Sequence, residues 1–280
     1  MDGNIGHSQV SIIIPVYNSQ PYLKECLDSV LNQTFKAIEV VAVDDCSDDG
    51  SFQTLTAYSE KDHRLRVYRN EKNRGVSHTL NQALKHCTAP IVARMDSDDV
   101  MYSDRIEKQY AYLQENPDCV VLGGQVTYIN DNGHIVGSAN FPLSDKRIRS
   151  SLFYYQPIAD PTIMINLKRI PDGCLYYDET LPIAEGLDLY FRLLQYGRFS
   201  NLSVPVVLYR QREDSLRNKN LKRTFSYITE VRSRAEKKYG IKAPGAAKGV
   251  ALAQKVMTSI LPFSTAVWLF DTIKKILVKE

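Results

Sequence analysis

The sequence predicts an α/β fold in which one Rossmann-like, mixed but mainly parallel sheet is flanked by helices and followed by a helical C-terminal tail. Two observations favour it. Apolar runs of strand length alternate with amphipathic helical patterns over residues 10–115, and polar clusters follow several of the runs. Because such alternation builds parallel sheets, we expect the polar clusters at the edge of the sheet where ligands bind.

Four strands and four helices are predicted in alternating order before Pro117. The first strand, Val10–Pro15, is a continuous β-branched run, typical of a strand that is buried on both faces. Ser19 and Pro21 open the first helix, whose apolar residues recur at helical spacing. These apolar residues are Leu23, Cys26, Leu27, Val30 and Leu31. The other elements are strands at 38–43, 65–69 and 91–95 and helices at 51–60, 76–87 and 104–115.

The pattern changes after Pro117. Strands at 120–130 and 134–138 flank an Asp-Asn-Gly sequence at 131–133, which is typical of a hairpin turn. A strand at 162–165, a helix at 187–196 and a strand at 204–209 follow. We therefore expect one domain over residues 1–215 and a basic, amphipathic helical tail over residues 216–280.

Charge is unevenly distributed along the chain. The net charge is +3, but residues 232–280 alone carry ten Lys or Arg against three Asp or Glu. The rest of the chain is slightly acidic, so we expect no nucleic-acid partner. Five scattered cysteines without a C-x-x-C pair, no signal peptide and no apolar run long enough to span a bilayer together predict a cytoplasmic protein.

The sequence lacks the motifs that mark several enzyme classes. The first strand is followed by Pro-Val-Tyr-Asn-Ser at residues 15–19, without the glycines that a dinucleotide-binding turn needs. The sequence also lacks the P-loop pattern, the G-x-S-x-G elbow of α/β-hydrolases and the H-E-x-x-H helix of zincins.

Carboxylates stand instead at the ends of two predicted strands. Asp44 and Asp45 follow the second strand, and Asp96, Asp98 and Asp99 follow the fourth. Several acids on one short loop repel one another, and their hard oxygens suit Mg²⁺ or Mn²⁺, so we expect a divalent cation there. An alternative is that individual aspartates cap the helices that follow.

Five motifs occur in order along residues 10–99: V-S-I-I-I-P-V-Y-N, Y-L-x-x-C-L-x-S-V-x-x-Q-T, E-V-V-x-V-D-D-x-S-x-D-G-S, N-x-G-V-S-x-x-L-N and A-R-M-D-x-D-D. In this order and spacing they resemble the family 2 glycosyltransferases with the GT-A fold. The resemblance runs from about Val10 to Arg212. It implies the transfer of a sugar from a nucleotide-sugar donor.

The resemblance also implies a donor site and a metal site. Asp96-Ser97-Asp98 would be the D-x-D motif, with Asp96 toward the ribose or sugar and both aspartates near a Mn²⁺ or Mg²⁺ ion that bridges the phosphates. Asp99 is a possible substitute for Asp98. The residues implied in binding the nucleotide-sugar are Pro15, Tyr17, Asn18, Asp44, Asp45, Arg74, Arg94 and Asp96.

The general base is where this sequence departs from the family. The family pattern is similar to A-E-D-x-D-L-x-x-R-L, in which the second acid of the Glu-Asp pair takes the proton from the acceptor. This chain reads A-E-G-L-D-L-Y-F-R-L over residues 184–193, with Gly186 at that place. Glu185 and Asp188 are both candidate catalytic residues. Glu185 is preferred because Asp188 is typical of a first helical turn.

Together these features predict an inverting, metal-dependent glycosyltransferase that uses a UDP-sugar. The family resemblance alone implies a glycan acceptor, lipid-linked, in the assembly of O-antigen, capsule or exopolysaccharide. The basic tail, with Trp268 and Phe270, predicts peripheral contact with the inner membrane face, and packing on the body is the alternative. A nucleotidyltransferase and a non-catalytic sugar-nucleotide-binding protein remain rival functions.

Overall fold

The computed structural model describes residues 8–212, 221–245, 247 and 249. Its strands are β1 (Val10–Val16), β2 (Ile38–Asp44), β3 (Leu65–Arg69), β4 (Ile91–Arg94), β5 (Val100–Met101), β6 (Cys119–Ile129), β7 (Ile135–Ala139), β8 (Met164–Asn166) and β9 (Arg198–Arg210). Its helices are α1 (Gln20–Leu31), α2 (Ser51–Ser59), α3 (Val76–Lys85), α4 (Arg105–Glu115), α5 (Asp145–Ser151), α6 (Glu185–Leu193) and α7 (Leu221–Tyr239). Short 3₁₀ turns lie at Asp160–Thr162 and Leu167–Arg169.

The described strands form one nine-stranded sheet in the order β3-β2-β1-β4-β8-β6-β9-β5, with β7 paired to β6. Strands β1 to β4 are parallel to one another, and β8 runs antiparallel to both β4 and β6. Because β2, β1 and β4 lie side by side and run the same way, the loops that follow them meet at one edge of the sheet. The predicted α/β fold with a mixed sheet is confirmed.

Apolar side chains on both faces of the sheet explain the continuous β-branched runs. In β1, Ile12 and Ile14 belong to the apolar cluster that contains Leu23 of α1. Ile13 points to the opposite face and belongs to the cluster that contains Leu80 of α3. Since successive side chains of a strand alternate between faces, a strand covered by helices on both sides must be apolar throughout.

Most predicted elements lie within a few residues of the observed ones. The helix that Ser19 and Pro21 open buries the same five residues that the sequence predicted for it. Strand β9 is longer than predicted because it pairs with β6 through its polar first half, which has no strand pattern of its own. Helix α5 was not predicted, because Ile148 is its only buried residue and leaves no amphipathic period.

The predicted C-terminal tail begins with a helix that packs on the body. Val231 and Ala235 of α7 are buried in the same apolar cluster as Leu189 of α6, and Arg232 donates to the carbonyl oxygen of Leu152 (3.2 Å). Among the helices that the structure describes, none is both long enough and apolar enough to cross a bilayer. Almost all of the segment predicted to contact a membrane lies outside the described residues.

A buried arginine ties together two segments that lead to the carboxyl edge of the sheet. Arg105 of α4 donates through Nη1 to the carbonyl oxygen of Pro161 (2.6 Å) and through Nη2 to that of Arg94 (3.0 Å). Its Nε donates to Gln109 Oε1 (2.9 Å), and the side chain has no solvent exposure. Charged donors make the stronger hydrogen bonds of a protein interior, so this group fixes the end of β4 against the Asp160–Thr162 turn.

We expect Arg105→Met to lower the free energy of unfolding by about 3 kcal/mol or more, because several buried carbonyl oxygens lose their donor. Urea denaturation followed by circular dichroism measures this change. Lys108→Met, at a half-exposed position of the same helix, should change stability by less than about 0.5 kcal/mol. Equal effects of the two substitutions would contradict the structural role of Arg105.

Candidate active site

Three loops meet at the carboxyl edge of the sheet, and their side chains lock them together. Ser19, after β1, shares a hydrogen bond with Ser97, after β4 (Oγ to Oγ, 2.6 Å). Asn18 Oδ1 accepts from the backbone N–H of Asp48 (3.1 Å), and the N–H of Asn18 donates to Ser47 Oγ (3.0 Å). The polar clusters that the sequence places at separate strand ends therefore form one surface.

Three residues other than glycine adopt the left-handed backbone conformation near this surface. They are Asn18 (φ 47°), Cys46 (φ 61°) and Ala184 (φ 67°), and they lie after β1, after β2 and directly before α6. Such residues cost about 1 kcal/mol or more and gather where function demands a particular loop shape.

Asp45 holds the loop between β3 and α3 against the end of β2. Its carboxylate accepts from the backbone N–H groups of Arg74 (2.9 Å) and Gly75 (2.8 Å) and from Asn70 Nδ2 (2.7 Å). The residue is 3% exposed. Three donors on one carboxylate fix the loop that carries Arg74, and the implied part of Asp45 in binding the nucleotide-sugar stays a prediction.

The other implied nucleotide contacts differ in accessibility. Tyr17 is 50% exposed at the end of β1, so its ring presents an apolar face to solvent. Arg74 is half exposed and forms a long ion pair with Glu179 (3.7 Å). Pro15 is half-buried within β1. Tyr17 and Arg74 are therefore the two of these side chains that a ligand could reach most easily.

Asp44 has different surroundings from those the family resemblance implies. It is fully buried, accepts through Oδ2 from the N–H of Ser47 (3.0 Å) and pairs with Arg69 Nε (3.1 Å). Nor does it cap α2, whose N-cap is Gly50. The carboxylate faces into the loop after β2, so the structure favours a loop-stabilising role for Asp44 over direct contact with a nucleotide.

Asp96 and Asp98 reach the surface at the end of β4, whereas Asp99 does not. The side chains of Asp96 and Asp98 are 27% and 29% exposed. Asp99 is buried and accepts from the backbone N–H of Arg210 (2.7 Å). Burial, with the charges of Asp98 and Asp96, raises the pKa of Asp99 well above its usual value. The structure therefore gives no support to Asp99 as a substitute for Asp98.

The chemistry of Asp98 and Asp96 fits a divalent cation. Burial and the neighbouring charge of Asp96 raise the pKa of Asp98, although Arg212 lies 3.4 Å from its Oδ2. Within the described part of the chain, no group of three or more His, Cys, Asp or Glu side chains forms a metal site. Two hard carboxylates on one loop suit Mg²⁺ or Mn²⁺ when phosphate oxygens and water complete the coordination. The pair thus suits a metal that binds together with a nucleotide.

Arg94 connects this acidic pair to the start of α6. It is buried, its Nε donates to Asp96 Oδ1 (2.9 Å) and its Nη1 donates to Glu185 Oε1 (3.2 Å). Burial opposes the charge, but the carboxylates of Asp96, Asp160 and Glu185 hold the pKa of Arg94 well above its usual value. The implied part of Arg94 in binding the nucleotide-sugar stays a prediction, and the observed contacts make Arg94 a bridge between two acids.

The two candidate catalytic residues at the start of α6 differ in their surroundings. Asp188 is 1% exposed, pairs with Arg192 (2.8 Å) and accepts from the hydroxyl of Tyr239 (3.4 Å), so α7 covers it. Glu185 faces Arg94, and burial raises the pKa of Glu185 while Arg94 opposes that rise. The structure favours Glu185 over Asp188 as the residue that belongs to the site.

Sequence reasoning missed one carboxylate at this place. Asp160, in the short turn before β8, accepts from the hydroxyl of Tyr190 (2.6 Å) and lies against Gly186. No motif around residue 160 marks it as functional. The one sequence signal is indirect: a glycine stands at 186, where the family pattern has an acid.

The mixed, mainly parallel sheet flanked by helices is of the GT-A glycosyltransferase type. The family described as Glycosyl transferase family 2 matches residues 11–174. The chain belongs to this family.

Similar proteins include a glycosyltransferase that is named for O-antigen biosynthesis. The O-antigen biosynthesis glycosyltransferase WbnJ of Escherichia coli is 33% identical over 207 residues, 72% of this chain and 79% of WbnJ. An uncharacterized glycosyltransferase of Haemophilus influenzae is 28% identical over 209 residues, 72% of this chain, and the match spans only 65% of that protein. A structure of S. aureus TarS residues 1–349 in complex with UDP-GlcNAc superposes with a TM-score of 0.68 at 25% identity, covering 90% of this chain and 73% of that one. A longer TarS structure is covered to 43% of its length.

We expect Asp98→Ala to weaken the binding of UDP in the presence of Mn²⁺ by at least about tenfold, because a cation between phosphates and protein loses a carboxylate. Calorimetric titration of UDP at fixed Mn²⁺ measures this. Asp48→Ala, which removes an exposed acid from the neighbouring loop, is the matched control and should leave the affinity unchanged. Equal affinities for the two variants, or a wild-type affinity that does not depend on Mn²⁺, would contradict the role of Asp98.

Proposed function

We propose that the chain is an inverting, metal-dependent glycosyltransferase that transfers a sugar from a UDP-sugar to a glycan acceptor. The observation that carries the proposal is the pair Asp96 and Asp98 at the end of β4, joined through Arg94 to Glu185. The acidic pair would serve the departure of the diphosphate, through a bound cation. An acid on the other side of Arg94 fits the removal of a proton from the acceptor.

Two observations support a UDP-sugar as the donor. TarS, which shares the fold, has been solved with UDP and with UDP-GlcNAc. The exposed ring of Tyr17 offers a face on which a base would stack, and Asp45 retains lone pairs that would accept from the N–H of uracil. UDP-GlcNAc is therefore the first donor to test.

Asp98, with Asp96 beside it, would hold the Mn²⁺ or Mg²⁺ ion. When bound, such an ion neutralises the charge that develops on the departing diphosphate. The residues of the chain do the rest: Arg94 fixes the orientation of Asp96, and the hydrogen bond between Ser19 and Ser97 fixes the loop between the two aspartates. Because these side chains are already held in place, less entropy is lost when the bound substrates reach the transition state.

Inversion follows when the acceptor hydroxyl attacks the anomeric carbon from the side opposite to the diphosphate. A carboxylate must accept the proton of that hydroxyl as the new bond forms. Of the two acids that the sequence offers at this place, Glu185 is the one that belongs to the site, since Asp188 is covered by α7 and paired with Arg192.

The proposed acceptor rests on similarity to a relative, and the proposed location rests on the positive charge of the tail. WbnJ is named for O-antigen biosynthesis, so we propose a lipid-linked glycan of a surface polysaccharide as the acceptor. The basic residues of the tail would hold the protein against the inner membrane face. A non-catalytic sugar-nucleotide-binding protein is the second candidate, favoured by Gly186. Such a protein would bind UDP but release none from a UDP-sugar.

We expect Glu185→Gln to lower the release of UDP from UDP-sugars by about 100-fold or more, because the amide no longer balances the charge of Arg94, which positions Asp96. The measurement is coupled detection of UDP over a panel of UDP-sugars, with calorimetric UDP binding alongside. Binding should persist. Glu115→Gln, on the exposed face of α4, is the control and should retain full turnover. Unchanged turnover in Glu185→Gln would exclude Glu185 from the reaction.

A further inference from the structure

The space that a side chain at position 186 would fill is already occupied by a carboxylate. A β-carbon placed on Gly186 would lie 2.7 Å from Asp160 Cγ and 2.8 Å from Asp160 Oδ2, and closer still to Oδ1. These separations are too short for any real β-carbon, so a side chain at position 186 would displace the carboxylate of Asp160 from the place it holds. The carboxyl group lost from α6 is thus replaced in space by one from the turn before β8.

Asp160 is held in place but remains accessible. The buried hydroxyl of Tyr190 donates to its Oδ1 (2.6 Å), and Arg105 fixes the carbonyl oxygen of the next residue, Pro161. Its Oδ2 has no hydrogen-bond partner among the residues that the structure describes. Asp160 is partly exposed, whereas Glu185 is 7% exposed. Of the two acids, Asp160 is the more exposed.

The two acids differ in their direct contacts. Glu185 accepts a hydrogen bond from Arg94 through Oε1 (3.2 Å), whereas Asp160 lies in the field of Arg94 without a hydrogen bond to it. Tyr190 supports Asp160 with a neutral hydroxyl rather than a charge. Asp160 in turn adds to the negative charge around Arg94 and Glu185.

We propose that Asp160 is the general base of this enzyme and takes the part that the family pattern gives to an acid at position 186. The proposal rests on the transfer reaction proposed above. As the acceptor oxygen bonds to the anomeric carbon, the bond from that carbon to the diphosphate breaks and its electron pair leaves with UDP. The proton of the acceptor hydroxyl passes to the carboxylate of Asp160. Glu185 then acts as a positioning residue that fixes Arg94.

The test removes the carboxylate from position 160 and then supplies one from position 186. Asp160→Asn keeps the size and the bond to Tyr190, and should lower turnover by about 10²–10⁴-fold with UDP affinity unchanged. Asp160→Ala empties the space beside Gly186 and should lower turnover by as much as Asp160→Asn does. Adding Gly186→Asp to Asp160→Ala returns a carboxylate to the same volume and should restore most of the lost rate. Adding Gly186→Asn instead fills that volume without a base and should not.

The readouts are UDP release from the UDP-sugar that the wild-type chain uses fastest, with water as the acceptor, UDP affinity by calorimetry, and the melting temperature. Rescue by Gly186→Asp but not by Gly186→Asn supports the proposal, since a purely structural role would respond to both. Full turnover in Asp160→Asn, or equal rescue by the two residues, overturns it. A wild-type chain that binds UDP but releases none from any UDP-sugar instead overturns the proposed function itself.

Discussion

The candidate site depends on one buried, positively charged side chain, that of Arg94. Arg94 lies between Asp96, on the side where a nucleotide-sugar would bind, and Glu185, at the start of α6. Three nearby carboxylates would repel one another in a buried setting, and Arg94 supplies the charge that lets them stand close together. Because one rigid guanidinium contacts both acids, their separation is fixed before any ligand arrives. Pre-set geometry of this kind is the main means by which a transferase lowers its barrier.

The rest of the fold holds Arg94 and its two acidic partners in position. Parallel strands β1, β2 and β4 bring three loops to one edge, and left-handed residues such as Asn18 and Ala184 shape the loops there. Arg105 contributes from below, because it binds the carbonyl oxygens of Arg94 and Pro161 at once. A change at this fully buried residue would therefore disturb both the end of β4 and the turn that carries Asp160.

The sequence predicted what depends on local pattern and missed what depends on distant contacts. The strand runs, the helix of Leu23 and Leu27, and the acids after β4 carry periodicity or motif spacing. Asp160 carries neither: its position is meaningful only because Gly186, twenty-six residues later, leaves room for it. The burial of Asp44 was missed for a similar reason, since its partner Arg69 comes from β3. The long strand β9 likewise forms because β6 offers it a partner along its length.

The most direct measurement is a crystal structure of the chain with UDP and Mn²⁺. The account predicts the metal against Asp98 with the diphosphate beside it, the uracil near Tyr17 and Asp45, and Arg94 still joined to Glu185. A diphosphate bound elsewhere, or a metal that leaves Asp98 untouched, would contradict the account.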